Sequence, residues 1–139
     1  MKKVLVFATA LLAFYTSNAQ DEATVSVTVT VENVLNDEGT VLISLHSSET
    51  FMKGQGIMDK AEKAKKGALT VTFDDVASGT YAIMAMHDTN DNKRMDFEAN
   101  GMPKESYGMS GNDMAMGPPS FDMAQFEVAD ENVTLSIRF

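Results

Sequence analysis

The sequence predicts an all-β protein with the architecture of an antiparallel β-sandwich. Apolar and polar residues alternate along several short segments, and a period of two residues is typical of strands that bury one face. Glycine, asparagine and aspartate separate these segments at the spacing of turns, so at least six strands are expected. None of the 139 residues is cysteine, and a packed core must therefore stabilise the domain without disulfides.

The clearest strand is predicted at Thr24–Val31, where four valines alternate with threonine and serine. A polar turn over Asn36–Gly39 leads into a second strand at Thr40–His46, and we expect these two strands to form an antiparallel hairpin. Further strands are predicted at Ala68–Phe73, Gly79–His87, Ala124–Ala129 and Asn132–Phe139.

Two segments break the alternation. Gly56–Gly67 is rich in alanine, glutamate and lysine and ends at glycine, which predicts a short surface helix. Asp88–Met123 is a long Gly/Pro-rich loop with four glycines, three prolines and neither helical nor strand periodicity. Loops of this length inside a domain are usually functional or disordered, and because this one includes Tyr107, Phe121 and several methionines, we expect it to pack partly against the sheets.

The N-terminus has the features of a secretory signal peptide. Two lysines precede an apolar run over residues 4–15, and the small residues Ser17 and Ala19 follow. The run is shorter than the roughly 20 residues of a membrane-spanning helix, and no second apolar run follows it. We therefore expect residues 1–19 to be removed after Ala19, and residues 20–139 to form a single domain exported to the periplasm or beyond the cell.

Acidic residues outnumber basic ones in this chain. The net charge is −9 at pH 7, and loss of Lys2 and Lys3 with the signal peptide leaves 9 basic against 20 acidic residues, a charge of −11. Such a domain repels nucleic acids and anionic membranes. The excess of acid suits a cation or a basic partner, although on composition alone an exported protein that is merely kept soluble is the simpler account.

The segment after the predicted strand at Gly79–His87 has the residue types of a cation-binding loop. If Asp88 is position 1 of a calcium loop, Asn90, Asn92 and Asp96 are positions 3, 5 and 9, and the backbone carbonyl of Arg94 is position 7. Carboxylate and amide oxygens at this spacing can surround one hard cation. The sequence therefore predicts a calcium site at these five residues.

Two positions of this loop differ from an EF-hand. Lys93 takes the place of the glycine at position 6, and Ala99 that of the bidentate glutamate at position 12, where Glu98 or Asn100 could substitute. Any calcium affinity should therefore lie at the weak extracellular end, on the order of tenths of millimolar to millimolar. The alternative is a loop without a cation, in which Asp and Asn side chains accept hydrogen bonds from nearby backbone N–H groups.

Two stretches of the chain resemble known bacterial proteins. The segment from Phe73 to Asn90, which contains FDDV, GTYAI and MHDxN, resembles the strand-turn-strand of exported prealbumin-like (transthyretin-like) sandwiches. The continuation GxPxExYGxS over residues 101–110, with PxSF over residues 118–121, resembles the bacterial family named domain of unknown function 2141 (DUF2141). The resemblance implies an exported seven-stranded sandwich from a Gram-negative bacterium, and it brings no established substrate or catalytic residue to this chain. This chain departs from the family pattern at Lys93, where such loops usually have glycine.

Methionine offers a second kind of metal site. Ten methionines follow the predicted cleavage site, among them Met84 and Met86, which adjoin His87, and those of the run Met109 to Met116. Thioether and imidazole ligands select Cu(I), so one alternative is a periplasmic copper(I)-handling protein. The two-residue spacing of Met84 and Met86 is also the pleat of a strand, which predicts instead that they pack on a sheet or fill the core.

Residues suited to catalysis are few. With no cysteine, and with His46 and His87 at the ends of different strands outside any HExxH or GxSxG pattern, the sequence favours a non-enzymatic protein. A hydrolase centred on His87 and Asp88 is the enzymatic alternative, and Ser110 or Ser120 would have to supply its nucleophile.

The leading interpretation from sequence is an exported, non-enzymatic β-sandwich module. We expect it to bind a structural calcium ion weakly in the loop Asp88–Asn100. Because loops at one end of a sandwich are a usual place for recognition, we also expect them to contact an unknown protein or cell-envelope partner. Beyond that ion, no cofactor, nucleic acid or membrane span is expected.

Overall fold

Strands dominate the residues that this computed structural model describes, which are 23–111 and 118–139. In chain order these ranges contain β1 (Thr24–Val34), β2 (Thr40–His46), β3 (Met58–Lys63), β4 (Gly67–Ala77), β5 (Gly79–Asp88), β6 (Tyr107–Met109), α1 (Phe121–Ala124), β7 (Phe126–Val128) and β8 (Val133–Arg138). The predicted signal peptide lies outside the described residues. Within them, no helix is long and apolar enough to cross a membrane.

The strands form two sheets that enclose one core. The smaller sheet has the order β4-β1-β8, and the larger has the order β3-β2-β5-β6, with β7 also pairing with β5. Alternate residues of β1, β2, β4, β5 and β8 point between the sheets, and Val29, Ile43, Phe73, Ile83 and Ile137 are fully buried there. The prediction of an all-β sandwich is therefore confirmed.

One strand pair departs from the antiparallel expectation. β1 and β8 run parallel, with Val27 opposite Val133 and Glu32 opposite Arg138. The pairs of β1 with β4, of β2 with β3 and of β2 with β5 are antiparallel. The strands nearest the two ends of the described chain are therefore hydrogen-bonded neighbours.

The predicted helix at Gly56–Gly67 is wrong, because this segment contains the edge strand β3. Met58–Lys63 pairs antiparallel with β2 through six consecutive residue pairs. Helix propensities of ordinary residues differ by less than about 1 kcal/mol, so backbone hydrogen bonds to the open edge of β2 outweigh them. The charged side chains that suggested a helix instead cover a sheet edge, where they discourage further strand pairing.

The predicted hairpin between Thr24–Val31 and Thr40–His46 is also wrong. β1 pairs with β4 and β8, and β2 pairs with β3 and β5, so the two strands lie in different sheets with their apolar faces opposed. The chain passes from one sheet to the other between Asn33, near the end of β1, and Gly39, just before β2, and the φ angles of these two residues are 63° and 67°. A side chain at Gly39 would also collide with the backbone carbonyl of Asp88.

The long segment after β5 is more regular than its composition predicts, since it contains β6 and α1. Residues 95–105 turn back on themselves, and Phe97 forms a β-bridge with Pro103. The amide of His87 then donates to the carbonyl oxygen of Ser106 over 2.8 Å, and β6 continues this pairing along β5. The expectation that the segment packs partly against the sheets agrees with this course, which brings its first half over the outer face of the larger sheet.

Candidate functional site

The candidate calcium loop begins with a buried carboxylate. Asp88 is the last residue of β5 and is fully buried. Its Oδ1 accepts a hydrogen bond from the amide of Asn92 over 3.2 Å, and its Oδ2 accepts one from the amide of Lys93 over 2.7 Å. The main chain of residues 88–93 therefore turns around this one side chain.

Three further predicted ligands meet one another. The side-chain amides of Asn90 and Asn92 both donate to Oδ2 of Asp96, each over 2.7 Å. Asn92 also accepts a hydrogen bond through its Oδ1 from the amide of Arg94 over 3.0 Å. The structure thus brings Asp88 and these three side chains into one network, and the backbone of Arg94 is attached to it.

The carboxyl group of Asp96 is held in its ionised form. The amide of Asn90 does most to lower the pKa of Asp96 below its usual range, and Asn92, Arg94 and Glu105 lower it further. Arg94 acts from a distance, because its Nε lies 3.8 Å from Oδ1 of Asp96 and its side chain is largely exposed. A carboxylate that stays ionised below neutral pH is available to a cation.

Lys93 forms the tight turn that would ordinarily use glycine. Its φ angle is 61°, and the φ angle of Asp91 is 58°. The left-handed conformation costs an L side chain roughly 1–2 kcal/mol, which the hydrogen bond to Asp88 helps to offset. Asp91 also accepts a hydrogen bond from the hydroxyl of Thr40 over 2.6 Å, which ties the loop to β2. The departure from glycine at Lys93 therefore does not prevent the turn.

Sequence reasoning missed one carboxylate at this loop, that of Glu105. Its Oε2 accepts a hydrogen bond from the amide of Asp96 over 2.7 Å. Its place in GxPxExYGxS was a signal that could have identified it. Asp88 and Glu105 are the buried acidic residues of the described ranges, and neither forms an ion pair there. Two buried carboxylates without a basic partner are costly unless hydrogen bonds or a cation compensate them.

Carboxylates alone would not make a metal site here. Among the described residues, no group of three or more histidine, cysteine, aspartate or glutamate side chains is arranged to hold a metal ion. A cation at this loop would depend on the amide oxygens of Asn90 and Asn92 and on main-chain carbonyls as well. Calcium accepts such mixed oxygen ligands.

The outer face of the larger sheet carries an apolar groove that sequence reasoning missed. Its floor is formed by alternate residues of β2 and β5, among them Leu42, Met84 and Met86. One wall is the segment before β3, with Met52, and the other is the segment after β5, with Phe97. The groove has a volume of about 790 Å³. No motif could have identified it, because its walls come from segments that are distant in sequence.

His46, at the end of β2, closes one part of this groove. It is buried, its Nδ1 lies 3.2 Å from the hydroxyl of Thr50, and its ring meets the ring of Phe51 edge-on. Burial lowers the pKa of His46 below 6.5, and the carboxylate of Asp59 opposes this shift without reversing it. The neutral imidazole therefore predominates at pH 7.

The loop and the groove both fall within a known sequence family. The chain matches the family described as "Uncharacterized protein conserved in bacteria (DUF2141)" over residues 29–136. The chain belongs to this family. The resemblance of the sequence motifs to DUF2141 is thereby confirmed. Comparisons with curated proteins and with solved structures found no match.

In this DUF2141 chain, the first group of candidate copper ligands is divided between two faces of β5. Met84 and Met86 line the groove on the outer face. His87 points to the opposite face, where its Nε2 lies 2.8 Å from the carbonyl oxygen of Glu38 and its ring stacks on that of Phe139. Adjacent residues of a strand face opposite sides, so the structure does not bring His87 together with these methionines.

Of the other candidate copper ligands, the described residue Met109 follows the packing alternative. Met84 lies directly opposite Met109 of β6, and both belong to a small cluster around Phe51 on the outer side of the larger sheet. Met109 is buried there. Met114 and Met116 lie outside the described residues.

The serines considered as hydrolase nucleophiles lie apart from His87. The buried hydroxyl of Ser110 accepts a hydrogen bond from the amide of Ile83 over 2.9 Å and donates one to the carbonyl oxygen of Ala124. Ser110 thereby joins β5 to α1. Ser120 precedes α1 and makes no capping hydrogen bond with its side chain. Within the described ranges, neither serine is hydrogen bonded to His87.

Proposed function

We propose that this DUF2141 protein is an exported, non-enzymatic binding module whose loop Asp88–Asn100 takes up one calcium ion. The observation that supports this is the convergence of Asp88, Asn90, Asn92 and Asp96 in one hydrogen-bonded network, at the sequence spacing of an EF-hand loop. The ion would order the loop, and with it one wall of the groove.

The separation of the side-chain ends suits calcium. Hydrogen bonds of 2.7 Å hold the side-chain ends of Asn90, Asn92 and Asp96 near one another. Asp88 joins them through the main-chain amide of Asn92, which lies 3.2 Å from its Oδ1. Calcium binds oxygen at about 2.3–2.6 Å, so neighbouring ligands around one ion lie about 3 Å apart. The ion would replace two amide N–H groups as the partner of Asp96, and Asn90 and Asn92 would then present oxygen instead of nitrogen.

Charge supports the same ion. Asp88, Asp96 and Glu105 place three carboxylates at one loop, and the two buried ones have no ion pair among the described residues. A divalent cation would neutralise them where solvent does so poorly. Because Ala99 supplies no carboxylate at position 12, the proposed affinity is weak, on the order of tenths of millimolar to millimolar.

Export and partner contact complete the proposal. The charged start, short apolar run and small residues of positions 1–19 support export. An affinity near millimolar is the range of extracellular calcium modules, so it is consistent with that location. We propose that the ordered loops contact a protein or another component of the cell envelope, because rigid sandwiches commonly present loops for recognition.

Thermal unfolding with and without calcium tests the calcium site. The purified protein, stripped of divalent cations by a chelator, should unfold at a higher temperature once millimolar calcium is in excess, because an ion bound only by the native state adds to its stability. Asp96→Asn keeps the size of the side chain and removes its charge, so it should abolish this rise. Asp130→Asn changes an exposed acid outside the loop and serves as the matched control.

Three results are distinguishable. A rise that Asp96→Asn abolishes and Asp130→Asn keeps would support the site. No rise in the parent protein would overturn it and leave the self-bonded loop. An equal rise in all three proteins would also overturn it, because calcium would then be acting on the overall negative charge rather than on this loop.

A further inference from the structure

We propose that the groove on the outer face of the larger sheet binds a small amphipathic molecule with an apolar chain and one carboxylate group. The proposal goes beyond the calcium loop, because the floor of the groove is built from the strands β2 and β5. It depends on the groove's size, its lining and the charges on one wall.

The size and the floor suit a small apolar ligand. The volume of about 790 Å³ lies within the roughly 300–1,000 Å³ that small-molecule sites occupy. Leu42, Met84 and Met86 are half-buried on the face of the sheet that points away from the core. Polar residues would be expected on that face if it met only water. Unbranched methionine side chains also adapt readily to the shape of an apolar ligand.

Exposed apolar side chains stand on both walls. Met52 on one wall and Phe97 on the other are each 57% exposed. The other highly exposed large apolar residues of the described ranges, Leu35, Ile57 and Met102, do not line the groove, so its apolar character depends on these two side chains and on its floor. An apolar floor between apolar walls is typical of a small-molecule site.

The wall that carries Phe97 is also basic. Lys93 and Arg94 line the groove there, in a chain whose net charge is −9. The Arg94 side chain is 77% exposed and its Nε lies 3.8 Å from Asp96, so the guanidinium holds that carboxylate only loosely. Guanidinium and carboxylate groups match as paired hydrogen bonds, and for this reason we assign a carboxylate to the charged end of the ligand.

The opposite side of the groove contributes one acid, Asp59, and one base, Lys60, so it adds no net charge that would cancel this preference. The Oδ1 of Asp59 accepts a hydrogen bond from the amide of Gly56 over 3.1 Å. The Asp59 carboxylate is thereby directed to the main chain before β3.

Methionine methyl groups allow a direct test. The purified protein, labelled with carbon-13 at these methyl groups and kept in chelator, is titrated with decanoate and followed by NMR. Signals of Met84, Met86 and Met95 should shift saturably, because all three line the groove. The signal of Met58, which packs against the core between the sheets, should stay unchanged.

Two charge-matched variants test the basic wall. Lys93→Gln with Arg94→Gln should weaken decanoate binding roughly tenfold, because charge-assisted hydrogen bonds are lost. Lys65→Gln with Lys66→Gln removes the same charge from exposed residues before β4, and its affinity should stay within about twofold of the parent. Decanol has the same chain without the charge, so it should bind the parent roughly tenfold more weakly than decanoate does. The affinity for decanol should be the same in both double variants as in the parent.

Several results would overturn the proposal. One is the absence of saturable shifts with decanoate. The others are equal affinity of the parent protein for decanol and decanoate, and an equal loss of decanoate affinity in the two double variants. Shifts of the same methionines with anionic phospholipid vesicles but not with decanoate would also overturn it, and would assign the face to a membrane surface. Because calcium is absent from every titration, failure of the calcium site would leave this test intact.

Discussion

The carboxylate of Asp88 holds the amide of Lys93 at 2.7 Å, while Lys93 keeps a left-handed main-chain conformation with φ of 61°. The two facts belong to one turn. A hydrogen bond to a buried charge at the end of β5 offsets a conformation that a lysine would otherwise avoid. One substitution can change the main-chain conformation at Lys93, and another can change the hydrogen bonds to Asp88.

Lys93→Gly should raise the free energy of unfolding by about 1 kcal/mol. Glycine removes a left-handed penalty of roughly 1–2 kcal/mol, and part of this gain is lost to the greater freedom of glycine in the unfolded chain. Urea unfolding in chelator measures the change. Lys93→Ala removes the same charge but keeps Cβ, so this variant should be no more stable than the parent protein. A glycine variant that is no more stable than the alanine variant would contradict the expectation.

Asp88→Asn should lower the free energy of unfolding by about 1.5–3 kcal/mol in the absence of calcium. The asparagine amide cannot accept from both Asn92 and Lys93 as the carboxylate does, and hydrogen bonds to a charged group are worth about that much. The exposed control Asp130→Asn should change stability by less than about 0.5 kcal/mol. Equal stabilities of the two variants would show that the loop amides have other acceptors.

Ser110→Ala should destabilise the protein by about 1–3 kcal/mol, because the amide of Ile83 loses its buried hydrogen-bond acceptor. Hydrogen exchange at the Ile83 amide should accelerate by more than that of the protein as a whole. Ser120→Ala, at a side chain without a capping hydrogen bond, is the matched control and should be nearly neutral. An Ile83 amide protected as well as in the parent would count against the role of Ser110.

Stability should fall between pH 7.5 and pH 5.5 because of His46. Burial lowers the pKa of His46 in the folded state below its unfolded value of about 6.5. As the pH falls through that value, the unfolded chain binds a proton first, so unfolding becomes easier until the folded pKa is passed. His46→Gln should flatten this part of the pH profile of the free energy of unfolding. A profile with unchanged slope would assign the pH dependence to other groups.

Strand alternation predicted much of the fold but none of its pairing. The valines of Thr24–Val31 and the alternation in Thr40–His46 show which face of each strand is buried, and both strands are present. They do not show which strand lies alongside, because every inward face in a sandwich meets the same core. The edge strand at Met58–Lys63 was missed for a related reason, since it buries almost nothing and leaves no apolar pattern.

The candidate site likewise has one part that the sequence predicted, the loop, and one part that it did not, the groove. The loop could be found because Asp88, Asn90 and Asn92 contact one another across a few residues, so spacing alone carries the signal. Glu105 accepts its hydrogen bond from the amide of Asp96 only after the chain has turned back along β5. The groove forms only when the segment before β3 and the segment after β5 stand on the same outer face of the larger sheet. The groove therefore leaves no local pattern, and the motif that contains Glu105 marks this residue without showing which part of the chain its carboxylate contacts.

The parallel pairing of β1 with β8 has a consequence for how this domain folds. The amide of Ser26 meets the side chain of Asn132, 106 residues later, over 2.9 Å. Contacts between such distant segments form slowly, because the chain must close a long loop before they stabilise it. Until Val133–Arg138 arrives, the valine-rich first strand has one edge open, and an open apolar edge invites pairing with another chain. Chaperones that hold the emerging chain extended until its last strand is available should therefore raise the yield of native protein.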